Sequence, residues 1–420
     1  MDVSGWRQFD HVNLEFHPSL TVLTGANATG KSTLLGILAR HFNWHRPYST
    51  APVSSKGRIT QWSPLDFRIW KRDDRKRSSD PHWQSIGNLT YGTGITTQIN
   101  VPVSDPQQTR SQYDLLLTTQ QAVNGAYITS HRPVSGNYSH VSSIPTEFAD
   151  PNALSDQYTN EVRNQWAGGY TGKTPQLVLK ESLIAAAAFG GRGNQAMDYN
   201  EDADSIWSGF QQVLSHVIPP AIGFRRIRAR VPDLIIETKS GDFIFDDASG
   251  GLAAVIDVAW QIFLRSRTYS SFTVLLDEPE NHLHPSLQRE IIPSLLRAFP
   301  NVQFIVATHS PFVVTATPDS SVYALDYGPN GLVYSRNLDY VNKAASADET
   351  LRRVLGVEST MPAWAETKFS QIVSEYMHSL LNDERLRALR NELKANGLET
   401  EFPDAVLRLT DNFGDDRTDE

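Results

Sequence analysis

The sequence predicts an α/β fold: a mixed central sheet, an antiparallel β-subdomain, a helical lobe and a helical C-terminal extension. Three stretches predict it. Residues 20–24 form an apolar, β-branched run that leads into Gly25-Ala26-Asn27-Ala28-Thr29-Gly30-Lys31-Ser32, and residues 33–39 lead out with helical composition. Residues 272–276 form a second apolar run, ending in Asp277-Glu278-Pro279. Residues 302–307 form a third, ending in Thr308-His309-Ser310. Short apolar runs bounded by turn residues and separated by helical periodicity read as the buried strands of a layered α/β domain.

Composition sets limits. A chain of 420 residues is too long for one small core, so more than one lobe is expected. With 40% hydrophobic and 20% charged residues it reads as globular, and its net charge of −9 excludes coating of nucleic acid by bulk charge, though not a local basic groove. There is no cysteine, hence no disulfide and no thiolate chemistry. The N-terminus lacks a basic-then-apolar leader and no apolar run approaches the ~20 residues of a membrane span, so the expected compartment is the cytoplasm, with no membrane partner.

In chain order, Val12, Leu14 and Phe16 alternate with polar residues as a half-buried strand, and Pro18-Ser19 turn it into the strand before the glycine loop. That loop is a P-loop by context: strand before, helix after, glycines aiming backbone N–H groups inward, and a helix N-terminus adding its positive dipole end. Asn27, Ala28, Thr29, Gly30, Lys31, Ser32 and Thr33 are its expected nucleotide contacts. Lys31 reaches the β- and γ-phosphates in such a loop, and Ser32 ligates Mg²⁺. The helix ends near Phe42-Asn43-Trp44. Residues 45–85 are irregular, with Arg68, Lys71, Arg72, Arg75, Lys76 and Arg77 close together. They read as a solvated loop or, alternatively, as a phosphate-backbone contact.

Residues 86–145 are rich in Thr, Ser, Tyr, Gln and Gly. Within them, 113–120, the Asn124-Gly125 pair and 126–130 read as a β-hairpin. Residues 150–220 turn helical; Ile206, Phe210, Val213, Leu214 and Val217 share a face, and Pro219-Pro220 stops that helix. Strands return at 224–246, with Arg225, Arg226, Arg228 and Arg230 as an exposed strand face or a partner surface. Ser249-Gly250-Gly251 then opens an apolar helix, as a helix cap or as a second anion-binding start.

The run ending at Asp277-Glu278 delivers two adjacent carboxylates from a buried strand, which is the Walker B arrangement. Asp277 holds Mg²⁺ in it, and Glu278 orients and polarises the attacking water. His282 and His284 could pair on a metal but have no further ligand cluster beside them. His309 would hydrogen-bond the γ-phosphate, or else sit as a satisfied core histidine.

Lys31 and Asp277 lie more than half the chain apart. The order of P-loop, inserted lobe, Ser-Gly-Gly, carboxylate pair and histidine resembles the ABC-type ATPases of the SMC, RecF and OLD kind. Asn27, the Asp-Glu-Pro-Glu and Leu-His-Pro segments at 277–285 and Ala-Thr-His-Ser-Pro at 307–311 look most like OLD-type proteins. The resemblance covers about residues 1–330. It implies an ATP and Mg²⁺ site with Lys31, Glu278 and His309 as catalytic residues. It also implies a head-to-tail dimer in which Ser249, Gly250 and Gly251 meet the ATP held by the partner copy, so that hydrolysis is slow and needs dimerisation. Two positions depart from the pattern: Ala248 replaces the usual Leu, and Leu252 the usual Gln or Glu. The lobe-linking glutamine cannot be picked out by spacing, and its region is placed at Ser130-His131-Arg132.

The expected division is an ATPase head at 1–340, with a helical lobe at 150–222, and a helical segment with an acidic tail at 341–420. OLD nucleases carry a TOPRIM nuclease domain after the ATPase, which needs an Asp-x-Asp pair, and residues 310–420 contain none. They show instead a hairpin near 321–336 and helices: Phe369, Ile372, Val373, Tyr376 and Leu380 form one stripe, and Leu386, Leu389 and Leu393 another. This resembles stand-alone ATPases of the AAA15/AAA_21 kind from bacterial anti-phage systems, the Septu type (PtuA) above all. Such a subunit works with itself as dimer or oligomer and with a separate effector nuclease of HNH or TOPRIM type. Two alternatives are a RecF/SMC-like repair ATPase, with nucleic acid as partner, and a nucleotide-regulated scaffold.

Overall fold

The computed structural model describes residues 1–55, 58–63, 83–102, 112–132, 138–145, 147–192, 198–338, 346–357, 359–377 and 382–411. The basic cluster at 68–77, Leu380 and the acidic tail beyond 411 lie outside them.

The chain divides into two compact units, Met1–Thr350 and Leu351–Glu420. The first is built on an eleven-stranded sheet in the order β10-β8-β7-β1-β2-β18-β17-β3-β16-β15-β11. Its parallel half comprises β3 (Leu20–Gly25), β11 (Gly125–Ile128), β15 (Phe272–Asp277), β16 (Val302–Ala307) and β17 (Ser321–Tyr327). Val22, Leu23, Val274, Leu276, Val306 and Ala307 are each at most 1% exposed. Strands covered on both faces read as continuous apolar runs, which is why these were visible in the sequence. The antiparallel half holds β1 (Asp2–Trp6), β2 (Phe9–Asn13), β7 (Trp83–Thr90), β8 (Thr96–Pro102) and β10 (Leu116–Leu117). β18 (Val333–Asn337) joins the halves, antiparallel to β17 and parallel to β2. The β-subdomain expected at 86–145 is thus largely a wing of the central sheet. The stretch 45–85, expected to be irregular, instead holds β4 (Tyr48–Ser49), β5 (Ala51–Ser55) and β6 (Arg58–Ser63), which with β9 (Gln112–Tyr113) form two small antiparallel pairs.

The hairpin expected across Asn124-Gly125 does not form. β9 pairs with β4, β10 with β8, and β11 lies parallel to β15. Gly125 serves close approach rather than a turn: a Cβ there would stand 2.1 Å from Thr273 O.

The helical lobe follows as α2 (Pro151–Trp166), α3 (Pro175–Phe189) and α4 (Glu201–Val217), after α1 (Lys31–Ala39) of the P-loop. A small antiparallel sheet of β12 (Phe224–Arg230), β13 (Asp233–Thr238) and β14 (Phe243–Ile244) leads to α5 (Gly250–Ser266). α5 buries Trp260 and Ile262 completely and packs on α2, α4 and β11. α6 (Pro285–Ala298) and the short α7 (Pro311–Val314) follow β15 and β16. Among the described residues no helix is long and apolar enough to cross a membrane.

The second unit contains α8 (Ala363–Tyr376), α9 (Asp383–Ala395) and α10 (Phe402–Asp411) around a core of Phe369, Ile372, Val373, Leu389, Leu393 and Leu409. Both leucine-rich stripes read from the sequence feed this core; Leu386 is only half-buried.

Candidate nucleotide site

The C-terminal ends of adjacent parallel strands are where α/β sheets hold ligands. Here β3, β16, β15 and β11 bring four segments to that end. β3 delivers the P-loop, which turns through positive φ at Gly25 (137°), Ala28 (66°) and Gly30 (96°). Thr29 is buried and its Oγ1 donates to Ala26 O at 2.9 Å, shaping the loop from inside. Asn27 points to solvent.

α1 starts at Lys31 with no side-chain cap. By contrast α2, α3, α4, α5 and α6 are capped by Asp150, Thr174, Asn200, Ser249 and His284. First-turn N–H groups need acceptors. Those of α1 border a cleft of about 630 Å³ whose lining includes Arg7, Gly30, Lys31, Ser32, Arg46 and His309. Thr33 also lines it.

Lys31 is 4% exposed. Its Nζ donates to Gly25 O at 3.0 Å and Ala26 O at 3.1 Å, and lies 3.4 Å from His309 Nδ1. Burial pulls the ammonium below its ordinary value, against the opposing pull of Glu278, Asp277 and Glu280. Ser32 Oγ donates to Asp277 Oδ1 at 3.0 Å, so the two residues assigned to Mg²⁺ meet. Tyr127 from β11 adds a longer bond to Asp277 Oδ2 at 3.4 Å. Burial raises the Asp277 carboxyl, while Ser32, Tyr127, Arg132 and Lys31 act to lower it.

Glu278 adopts φ 47°, which is rare for a residue with a Cβ. Its N–H donates to Ala307 O at 2.9 Å. Its Oε1 lies 3.2 Å from His309 Nε2, and its Oε2 accepts from the His309 N–H at 3.1 Å. Burial, followed by the neighbouring Glu280 carboxylate, pushes Glu278 up to about 9. Burial and Lys31 hold the His309 ring below its ordinary value. A neutral ring that accepts at Nδ1 from Lys31 and donates at Nε2 to Glu278 satisfies both contacts.

Sequence reasoning missed three residues here. Arg132, 4% exposed, donates from Nη2 to Asp277 O at 3.2 Å and to Glu278 O at 3.4 Å. Behind it lies Asp257 of α5, held by the Tyr158 hydroxyl at 2.5 Å. The segment 130–132 had been placed near the site as a lobe linker, but nothing in the sequence marked the arginine. Tyr127 lay in the misread hairpin. Glu280 was legible only as part of the Asp-Glu-Pro-Glu string.

Ser249 and Gly250 are exposed, and neither they nor Gly251 line the P-loop cleft. Ser249 Oγ accepts from the Leu252 N–H at 3.4 Å, so the cap reading of this serine is realised. The segment before it is anchored by the fully buried Lys180, whose Nζ donates to Asp246 Oδ2 and Ser139 O at 2.5 Å each. His282 and His284 are exposed, and His284 caps α6 by accepting from the Ser286 N–H. Of the strand arginines, Arg226 and Arg228 both pair with Glu237, at 2.7 and 2.9 Å.

The residues present fit ATP with Mg²⁺. The loop offers uncapped N–H groups and an ammonium, and Ser32 with Asp277 offers the hard oxygen donors that Mg²⁺ requires.

Residues 212–315 match the family described as "AAA domain, putative AbiEii toxin, Type IV TA system", and residues 1–44 match a second described as "AAA domain". In these two stretches, about a third of its length, the chain resembles P-loop ATPases, PtuA among them. It is 27% identical over 177 residues to "Septu protein PtuA" of Bacillus thuringiensis, covering 38% of this chain and 44% of that protein. It is 29% identical over 177 residues to "Retron Ec83 probable ATPase" of Escherichia coli, covering 38% and 30%. The chain thus spans less than half the length of either relative. Among solved structures, an SMC head bound to the C-terminal winged-helix domain of ScpA aligns at 13% identity with a TM-score of 0.44, over 80% of this chain and 96% of that one.

Proposed function

We propose that this chain binds ATP with Mg²⁺ at the P-loop and hydrolyses it slowly, in a site completed by a second copy. We further propose that it serves a bacterial anti-phage defence complex, working with a separate effector nuclease of HNH or TOPRIM type. The observation that carries the first reading is the convergence of the uncapped α1 start, the Lys31 ammonium, the Ser32–Asp277 pair and the Glu278–His309 pair on one cleft.

The roles follow from this geometry. The loop N–H groups and Lys31 hold the phosphates, and Ser32 and Asp277 hold the metal. Bound Mg²⁺ supplies charge neutralisation on the β- and γ-phosphates. Glu278 orients the attacking water and, in its ionised form, receives its proton. His309, fixed between Lys31 and Glu278, would turn its Nε2 proton from Glu278 to the γ-phosphate once nucleotide binds. Ser249, Gly250 and Gly251 lie on an exposed helix start away from the cleft of their own chain. That position suits a contact with nucleotide bound by another copy, the Ser249 hydroxyl proton remaining available to donate. The defence reading rests on the two relatives' names and on the motif set.

Lys31→Ala should abolish binding of a fluorescent ATP analogue. Glu278→Gln should retain binding, lose phosphate release and accumulate as an ATP-dependent dimer by light scattering. Unchanged phosphate release in Glu278→Gln would refute the assignment of the base. Co-purification of a nuclease encoded by the adjacent gene, with phage plaque counts, tests the defence role.

A further inference from the structure

One buried carboxylate does more at this site than push up the Glu278 carboxyl. Glu280 is 8% exposed. Its Oε1 accepts three bonds: from Thr308 Oγ1 at 2.5 Å, from the His309 N–H at 2.9 Å and from the Ser310 N–H at 2.9 Å. All three donors belong to the turn that leaves β16 carrying His309. Three bonds converging on this one oxygen fix where the His309 turn sits.

A second tie runs parallel to it. Gln288 of α6 accepts from Ser310 Oγ at 2.7 Å and donates from Nε2 to Leu283 O at 3.0 Å. The Leu283 N–H in turn donates to Glu280 O at 2.9 Å. The His309 turn and the segment 281–284 are therefore bound to each other through two side chains. The far side of that segment touches the start of α5. A Cβ on Gly251 would stand 2.9 Å from His282 O and 3.7 Å from Leu283 Cα. The glycine thus lets the two backbones approach closely.

We propose that Glu280 is a positioning residue that couples the His309 side of a chain's own ATP site to the same chain's Ser249–Gly251 face, and so to the ATP held by the partner copy. This rests on the two-copy site proposed above. The path is contiguous: Lys31 to His309, the His309 turn to Glu280 and Gln288, then residues 282–283 to Gly251. Filling one site then biases the helix start that completes the other, and two sites linked in this way fill cooperatively. Glu280 makes no hydrogen bond to Lys31, Ser32 or Asp277 among the described residues, and its push on the Glu278 carboxyl is removed in a Glu278→Gln background.

The test uses the full-length Glu278→Gln protein, titrated with ATP–Mg²⁺ and followed by light scattering. Its assembly should be steep, with a Hill coefficient approaching the number of linked sites. Adding Glu280→Ala should lower the Hill coefficient below that of the Glu278→Gln protein, while affinity for a fluorescent ATP analogue in the dilute monomer changes by less than about threefold. Glu280→Gln, which keeps the accepting Oε1, should keep the steepness. Gln288→Ala, a change outside the carboxylate, should reduce it and carries the test if Glu280→Ala does not fold. Undiminished steepness in both alanine variants overturns the proposal. So does an equal loss in Glu280→Gln, or a tenfold loss of monomer affinity in Glu280→Ala. If Glu278→Gln itself does not assemble with ATP, the two-copy reading fails first, which is a different result.

Discussion

Gly30→Ala isolates what the P-loop demands of its last glycine. Gly30 has φ 96°, and an added Cβ would stand 2.4 Å from Phe9 Cζ, 2.5 Å from Gln8 Nε2 and 2.8 Å from Phe9 Cε1. The Gln8 amide can swing away, being the end of a flexible chain. Phe9 cannot: it is 0% exposed and lies against Trp6, ring centroids 6.0 Å apart. The substitution therefore combines about 1–2 kcal/mol for left-handed backbone with about 1–3 kcal/mol for overpacking a fixed ring. Gly172 provides the control, with φ 92° and nothing within 4 Å of its added Cβ. Gly172→Ala should cost only the backbone part, about 1–2 kcal/mol. If the loop relieves the Phe9 contact by shifting, the cost moves into nucleotide affinity. A total of about 2–5 kcal/mol is then a loss of some thirtyfold to several thousandfold. Urea unfolding and titration with a fluorescent ATP analogue measure the two shares. Equal behaviour of Gly30→Ala and Gly172→Ala in both assays would refute the steric argument, as would failure of Phe9→Leu to restore any of the lost affinity.

Two further predictions concern buried groups. Arg132→Met should destabilise by about 3–5 kcal/mol in urea unfolding, because it strips Asp257 of its neighbouring cation. It should also lower phosphate release more than nucleotide affinity, since the carbonyls of Asp277 and Glu278 lose their anchor; wild-type turnover would count against this. Arg132→Lys should not rescue it, an ammonium lacking the planar fork that spans two carbonyls. In the second unit, Phe369→Ala should cost about 3–5 kcal/mol of that unit's stability. Limited proteolysis should then cut within Leu351–Glu420 while nucleotide affinity is unchanged, and a parallel loss of affinity would contradict it.

What was legible in the sequence is what the chain specifies locally. The P-loop, the carboxylate pair after β15 and the histidine after β16 each sit at the end of a short, fully apolar run, and such runs announce buried parallel strands without reference to a partner. What was not legible depends on neighbours far along the chain. Asn124-Gly125 has the composition of a tight turn, yet its glycine exists because Thr273 O approaches from β15, nearly 150 positions later. Arg132 follows a strand of four residues and carries no local signal; only the carbonyls of Asp277 and Glu278 give it a role. Glu280 stands in a string whose two preceding acids have obvious chemistry, and its own function appears only when the His309 turn is folded back onto it.

The placement of buried charge ties these residues together. Charged side chains are rarely buried without a partner, and a buried ion pair is weak evidence for stability. Among the described residues the buried charged side chains are Lys31, Arg132, Lys180, Asp257, Asp277 and Glu280. Lys31 and Asp277 belong to the proposed nucleotide site. Arg132, with Asp257 behind it, grips the backbone that presents Asp277 and Glu278. Glu280 grips the turn that presents His309. Lys180 grips Asp246, three residues before Ser249. Each of these last three braces a different segment, and replacing such a charge together with its partner by well-packed apolar side chains is often neutral or stabilising. A fold that keeps ionic groups at these points gives up stability there to hold separate chain segments in fixed relation. That is the requirement of a site assembled from several strand ends, and of one whose state must be passed on to another copy.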